Sequence, residues 1–138
     1  VQLSKSHRAY FKAAKSMSEL SEFKSQHIGC VAVYGHKIIS SGYNSNKTNP
    51  AQKRLNIHRF DVDTPATIHA EVACLLPLIN RRDINFNDIS LYVYREYKNG
   101  NPALSKPCPS CMALIRQLGI RRLYYSGDNS YINEELIY

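Results

Sequence analysis

Two cysteines three positions apart, Cys108 and Cys111, sit in the run Pro107-Cys108-Pro109-Ser110-Cys111 at the start of a helix-like segment. From a single helical turn both sulfurs can reach one metal ion. His69 lies 39 positions before Cys108, at the head of another helix-like segment, and Glu71 follows two residues later. One nitrogen and two sulfurs make a three-ligand zinc set, and a tetrahedral ion so held keeps one position for water. Glu71 is close enough in sequence to handle a proton without being a ligand. Alone, Cys-x-x-Cys fits a structural zinc knuckle or a redox pair, and His-x-Glu fits an ordinary helix start. Their combination, with proline directly before the first cysteine, points to hydrolytic zinc chemistry.

The remaining composition suits such a site. With 138 residues, 43% hydrophobic and 21% charged, the sequence is expected to form a single domain over 1–138 that buries a core without staples. No stretch reads as a membrane span or signal peptide. Four cysteines do not make a disulfide framework. Cys30 and Cys74 fall inside apolar runs as small hydrophobes, and this usage suits a reducing, cytoplasmic setting. The net charge of +7 is uneven: residues 1–60 carry +8 and residues 61–138 carry −1. That asymmetry suits an anionic partner, either one phosphate or a polynucleotide, or else a solvated basic face.

The elements that position the chemical residues follow from periodicity. Tyr10, Ala13, Ala14, Met17 and Leu20 recur at helical spacing over 4–21, opposite Lys5, Arg8, Lys12 and Lys15. Residues 28–34 and 37–43 read as two strands joined through Gly35-His36. Residues 44–66 read as a long polar and basic loop, broken by Pro50 and Pro65, that forms a wall of the substrate pocket. Thr64 or Thr67 is expected to cap the helix carrying His69 and Glu71, and Pro77 to kink or end it. Residues 90–95 alternate as a strand, and Asn99-Gly100-Asn101-Pro102 marks a small hairpin or lid. A third helix runs from Cys108 to a C-cap at Gly119, and another strand spans 122–126. Residues 131–138 fit a helical turn or a fifth strand equally well.

With these elements in order, the chain resembles the cytidine deaminase superfamily over roughly residues 5–126 (Gly42-Tyr43-Asn44, His69-Ala70-Glu71 and Ser105-Lys106-Pro107-Cys108-Pro109-Ser110-Cys111). It is most similar to the dCMP deaminase branch, including short phage members. The resemblance implies a three-layer α/β/α fold with a central mixed sheet of four to five strands. It implies Zn²⁺ held by His69, Cys108 and Cys111, and a bound water acidified toward a pKa of ~7. That water adds at carbon 4 of cytosine, with Glu71 delivering its first proton to ring nitrogen 3 and then assisting protonation of the departing amino group. Asn44 is implied to contact the sugar and the Ala70 backbone to seat the base. Ser105, Lys106 and Pro107 complete the implied substrate site. Two departures bear on substrate: Ala73 stands where many dCMP deaminases have Asn, and Glu96–Lys106 is a longer connection. A free nucleotide is the leading substrate, single-stranded DNA or RNA the alternative, and a non-catalytic zinc domain binding nucleic acid the third. Oligomerisation is compatible with all three.

Overall fold

A computed structural model describes residues 4–21, 26–58, 67–128 and 130–136. Helix α1 (Lys5–Ser18) is capped by the Ser4 hydroxyl, which accepts from the His7 N–H at 3.2 Å. Strands β1 (Ile28–Tyr34) and β2 (Lys37–Tyr43) form an antiparallel hairpin. Its two-residue turn places both Gly35 and His36 at positive φ, the geometry that matches strand twist. Further along come helices α2 (Pro50–Leu55), α3 (Ala70–Leu75) and α4 (Pro109–Leu118), with strands β3 (Ser90–Arg95), β4 (Arg122–Gly127) and β5 (Ser130–Glu135).

The strands form one mixed sheet in the order β2-β1-β3-β4-β5. Among the described residues only β3 and β4 pair in parallel, joined by the crossover through α4. Alternation along each strand sorts the core onto two faces. Cys30, Ala32, Leu91, Val93, Leu123 and Tyr125 pack with the residues of α3 and α4. Val31, Val33, Tyr92, Tyr94 and Tyr124 pack with Phe11 and Ala14 of α1. The result is the three-layer α/β/α arrangement expected, with five strands.

Two glycines allow these layers to approach. A Cβ on Gly29 would stand 1.9 Å from the Ala14 carbonyl oxygen of α1, and one on Gly42 would stand 2.5 Å from the Cys74 nitrogen of α3. The obstacles are backbone atoms, which cannot rotate away. Gly42→Ala is therefore expected to destabilise the fold by about 3 kcal/mol, at the upper end of ordinary overpacking. Urea unfolding checks this, and an unchanged midpoint would contradict the backbone-to-backbone packing.

Several expectations need correction. Leu20 is 56% exposed rather than buried, because α1 ends at Ser18, and Phe11 takes the core position beside Ala14. The long loop is not featureless. Pro50 starts α2 as its first residue, where a missing N–H costs nothing, and the Asn49 side chain caps it by accepting from the Ala51 N–H at 2.8 Å. Thr67 does not cap α3; it bridges to Thr48, and His69 takes the capping position, its side chain making no capping bond to the helix. Thr64 and Pro65 lie outside the described residues. Pro77 does end the helix, in a 3₁₀ turn over Leu76–Leu78. Residues 96–102 close as a small hairpin through the Glu96–Pro102 bridge. The tail is strand β5 through Glu135.

Candidate metal centre

Strands β2, β3 and β4 run in the same direction, since β2 and β3 are each antiparallel to β1 and β4 is parallel to β3. Their C-terminal ends therefore share one edge of the sheet, where open α/β sheets place their sites. The chain leaving β2 carries Asn44 and Ser45, and the Ser45 N–H donates to the Ile68 carbonyl at 3.1 Å. That ties the next residue, His69, to this edge. The chain leaving β3 passes through the small hairpin and reaches Cys108, the N-cap residue of α4. Pro109 occupies the first position of that helix, where its fixed φ favours the helical start.

Nδ1 of His69 lies 3.5 Å from the Cys108 sulfur and 3.4 Å from the Cys111 sulfur. All three donor atoms fall within 4.8 Å of one another. Zn–N and Zn–S bonds of ordinary length at a tetrahedral angle separate N from S by about 3.6 Å, so the two N···S distances fit a shared zinc ion. Of the two sulfurs, Cys108 is the one already poised as a thiolate. The Cys108 thiol is lowered to about 3, foremost by the hydrogen bond from Cys111 and also by His69, while Cys111, as the donor and in a buried position, is pushed well up. Metal binding takes both sulfurs as thiolates, so a cation held here would displace the Cys111 proton.

Glu71 is in the first turn of α3 and almost fully buried. Burial raises its carboxyl pKa, while the His69 ring and hydrogen bonding with the neighbouring Cys111 sulfur oppose that rise. A carboxyl whose pKa is pulled both ways at the edge of a metal site suits the taking and giving of a proton.

Of the other residues singled out in the sequence, Ala70 is buried at the first position of α3. Asn44 is buried too, but its amide closes the open end of the hairpin. Its oxygen accepts from the Ile28 N–H at 3.0 Å and its nitrogen donates to the Gln26 carbonyl at 2.8 Å, leaving one N–H and one lone pair for another partner. The Ser105 hydroxyl points into the sheet, donating to the Val93 carbonyl at 3.0 Å and accepting from the Ser126 N–H at 2.9 Å. It holds the chain that delivers Cys108. Pro107 is buried and Lys106 exposed beside it.

Three polar residues next to the ligands had escaped the sequence reading: Gln52, Asn56 and Ser110. The Gln52 oxygen accepts from the His69 N–H at 3.1 Å, and its nitrogen donates to the Asn56 oxygen at 2.9 Å. The Asn-Pro cap and start signal of α2 was the available clue that this loop contained structure.

Residues 4–127 match the family model of the cytidine and deoxycytidylate deaminase zinc-binding region. The chain belongs to this family. The deaminase is accordingly a hydrolase whose cofactor is zinc, in keeping with the donor set just described. It is 27% identical over 133 residues to a mouse (Mus musculus) deoxycytidylate deaminase, an overlap of 91% of this chain and 67% of that protein. Among solved structures it is similar to the dCMP deaminase of cyanophage S-TIM5 in complex with dCMP and dUMP. That match has a TM-score of 0.63 at 22% identity, over 91% of this chain and 83% of the phage chain. A cytidine deaminase from Burkholderia pseudomallei superposes with a TM-score of 0.62 at 17% identity, over 94% and 91% of the two chains. The two structural likenesses support the three-layer fold described above. Among the described residues, no helix of the deaminase is long and apolar enough to cross a membrane.

Proposed function

We propose that the protein, acting as one domain over 1–138, hydrolytically deaminates cytosine to uracil in a free nucleotide of the dCMP type, releasing ammonia. His69, Cys108 and Cys111 would hold the zinc. The observation that carries this reading is the convergence of those three donors with the buried Glu71 carboxyl at one sheet edge. When bound, zinc supplies a water acidified enough to act as a nucleophile near neutral pH. Glu71 would accept the first proton that water gives up and hand it to ring nitrogen 3 of the base. It would then carry the second water proton, left on the new carbon-4 hydroxyl, to the amino group, which departs as ammonia as the carbonyl forms. Burial of Glu71 keeps bulk water from competing for that proton. The Ala70 backbone seats the base, and the remaining amide valences of Asn44 face the sugar. Lys106 and Pro107 flank the entrance beside Cys108. Support for a monomeric nucleotide comes from the cyanophage relative, whose structure contains dCMP and dUMP.

A second reading, deamination of single-stranded DNA or RNA, is favoured by one observation. Arg8, Lys12 and Lys15 line a cavity of about 350 Å³ together with Phe11, Tyr94 and Tyr131, on the α1 side of the sheet. The support is the cluster of cations, which a phosphate backbone would neutralise; Phe11 and Tyr94 are buried and offer no stacking face. Salt dependence separates the readings. Each phosphate held on a single strand contributes a slope of about −0.7 in log affinity against log salt, so a strand crossing this face gives a steep dependence and a lone nucleotide a shallow one. The expected result is the shallow slope, with monomers turned over faster than oligonucleotides and unaffected by charge reversal at Lys12 and Lys15. A steep slope with oligonucleotide turnover above that of every monomer would make the polynucleotide the substrate.

A further inference from the structure

We infer that Gln52, Asn56 and Ser110 form a hydrogen-bonded brace that fixes the separation between the histidine arm and the cysteine arm of the zinc site. The inference rests on the proposed ligands, His69, Cys108 and Cys111. His69 stands just outside α3 in extended conformation, so its N–H has no place in the helical ladder and needs an acceptor. Gln52 of α2 is fully buried and supplies it, at 3.1 Å. The other end of the same amide donates to the Asn56 oxygen at 2.9 Å. That oxygen also accepts the Ser110 hydroxyl at 3.1 Å, and Ser110, fully buried, is one of the two residues between Cys108 and Cys111. The path is unbroken from the backbone of one ligand to the residue between the other two. Neither arm reaches the other through local sequence, being 39 positions apart, whereas α2 and the 3₁₀ turn after it (Asn56–His58) touch both.

A buried glutamine amide is tolerated only when its polar atoms are bonded, so α2 can dock in one position. In that position it sets where the His69 backbone sits relative to α4. Groups that orient metal ligands in this way commonly change metal affinity by 10–100-fold when removed. Asn56 contributes through its oxygen alone, since its amide nitrogen is buried with no partner among the described residues. Asn56→Asp therefore keeps both accepted bonds and serves as the conservative variant.

The test measures zinc affinity of the full chain by chelator competition, together with the absorption spectrum of the cobalt-substituted protein. Gln52→Leu is expected to weaken zinc binding about 10–100-fold and to shift the cobalt bands. Ser110→Ala should act in the same direction more weakly, and the double variant should be no weaker than Gln52→Leu alone. Asn56→Leu should lose affinity while Asn56→Asp retains it. Val31→Ala, on the opposite sheet face, controls for general destabilisation by losing stability with zinc affinity unchanged. Should Gln52→Leu fail to fold, Ser110→Ala and the Asn56→Asp/Asn56→Leu pair carry the test. Unchanged zinc affinity and cobalt spectra in Gln52→Leu and Ser110→Ala, or losses that multiply in the double variant, would overturn the brace. Zinc retained by Cys111→Ala would instead overturn the ligand set beneath it, so the two failures are distinguishable.

Discussion

Replacing Glu71 by glutamine is expected to leave zinc content and fold intact while lowering kcat by about 10²–10⁴-fold, the range for loss of a positioned acid–base group. The side chain is almost fully buried, and glutamine fills the same volume without leaving a cavity. What it removes is the capacity to hold a proton in transit. Since Glu71 is no ligand in this account, metal stoichiometry should stay at one per chain. Steady-state turnover and zinc content of the same preparation check both halves together. Near-normal turnover would exclude Glu71 as the proton carrier, whereas loss of zinc would make it a ligand.

The second large effect is on the metal itself. Cys108→Ala and Cys111→Ala each delete one of three protein donors and should reduce co-purified zinc from one per chain to a small fraction, with activity lost in parallel. Affinity depends on all three donors approaching one point, which is the arrangement given by the N···S distances of 3.4 and 3.5 Å. Cys111 is the more telling position. It is wholly buried and hydrogen-bonds Glu71 when protonated, so its removal also alters what the carboxyl faces. Zinc measured in the purified variants decides it. Full occupancy in both would remove the ligand assignment.

The metal donors were legible because their chemistry is local. Cys-x-x-Cys places two sulfurs on one turn whatever the rest of the chain does, and the proline before Cys108 marks where that turn begins. Strands β1, β3 and β4 were legible for a similar reason: alternation of Leu91 and Val93 with Tyr92 and Tyr94 already sorts residues to two sides of a sheet. The tyrosines then turn out to pack within the protein. The Tyr92 and Tyr124 rings stack at 4.5 Å beneath α1.

What sequence did not disclose depends on partners far along the chain. The Asn44 amide and the Ser105 hydroxyl each hold backbone of a neighbouring segment, a role that their place in the sequence does not disclose. Gln52 carries no periodic signal, because its role comes from meeting His69 and Asn56 only after α2 has docked. Pro50 was misleading because proline breaks a helix interior but favours a helix start, and the preceding Asn49 decides which applies. Leu20 followed the helical period past the point where α1 stops, a reminder that periodicity does not mark ends.

The central claim is that a cytosine nucleotide is hydrolysed to its uracil counterpart by this zinc site. It is tested most directly by incubating the zinc-loaded protein with dCMP and quantifying dUMP and ammonia together over time. Both are expected to appear in equal amounts at the same rate, and neither to form with Glu71→Gln or after zinc is removed. Absence of dUMP and ammonia from fully zinc-loaded protein, or their equal formation after the metal is stripped, would contradict it.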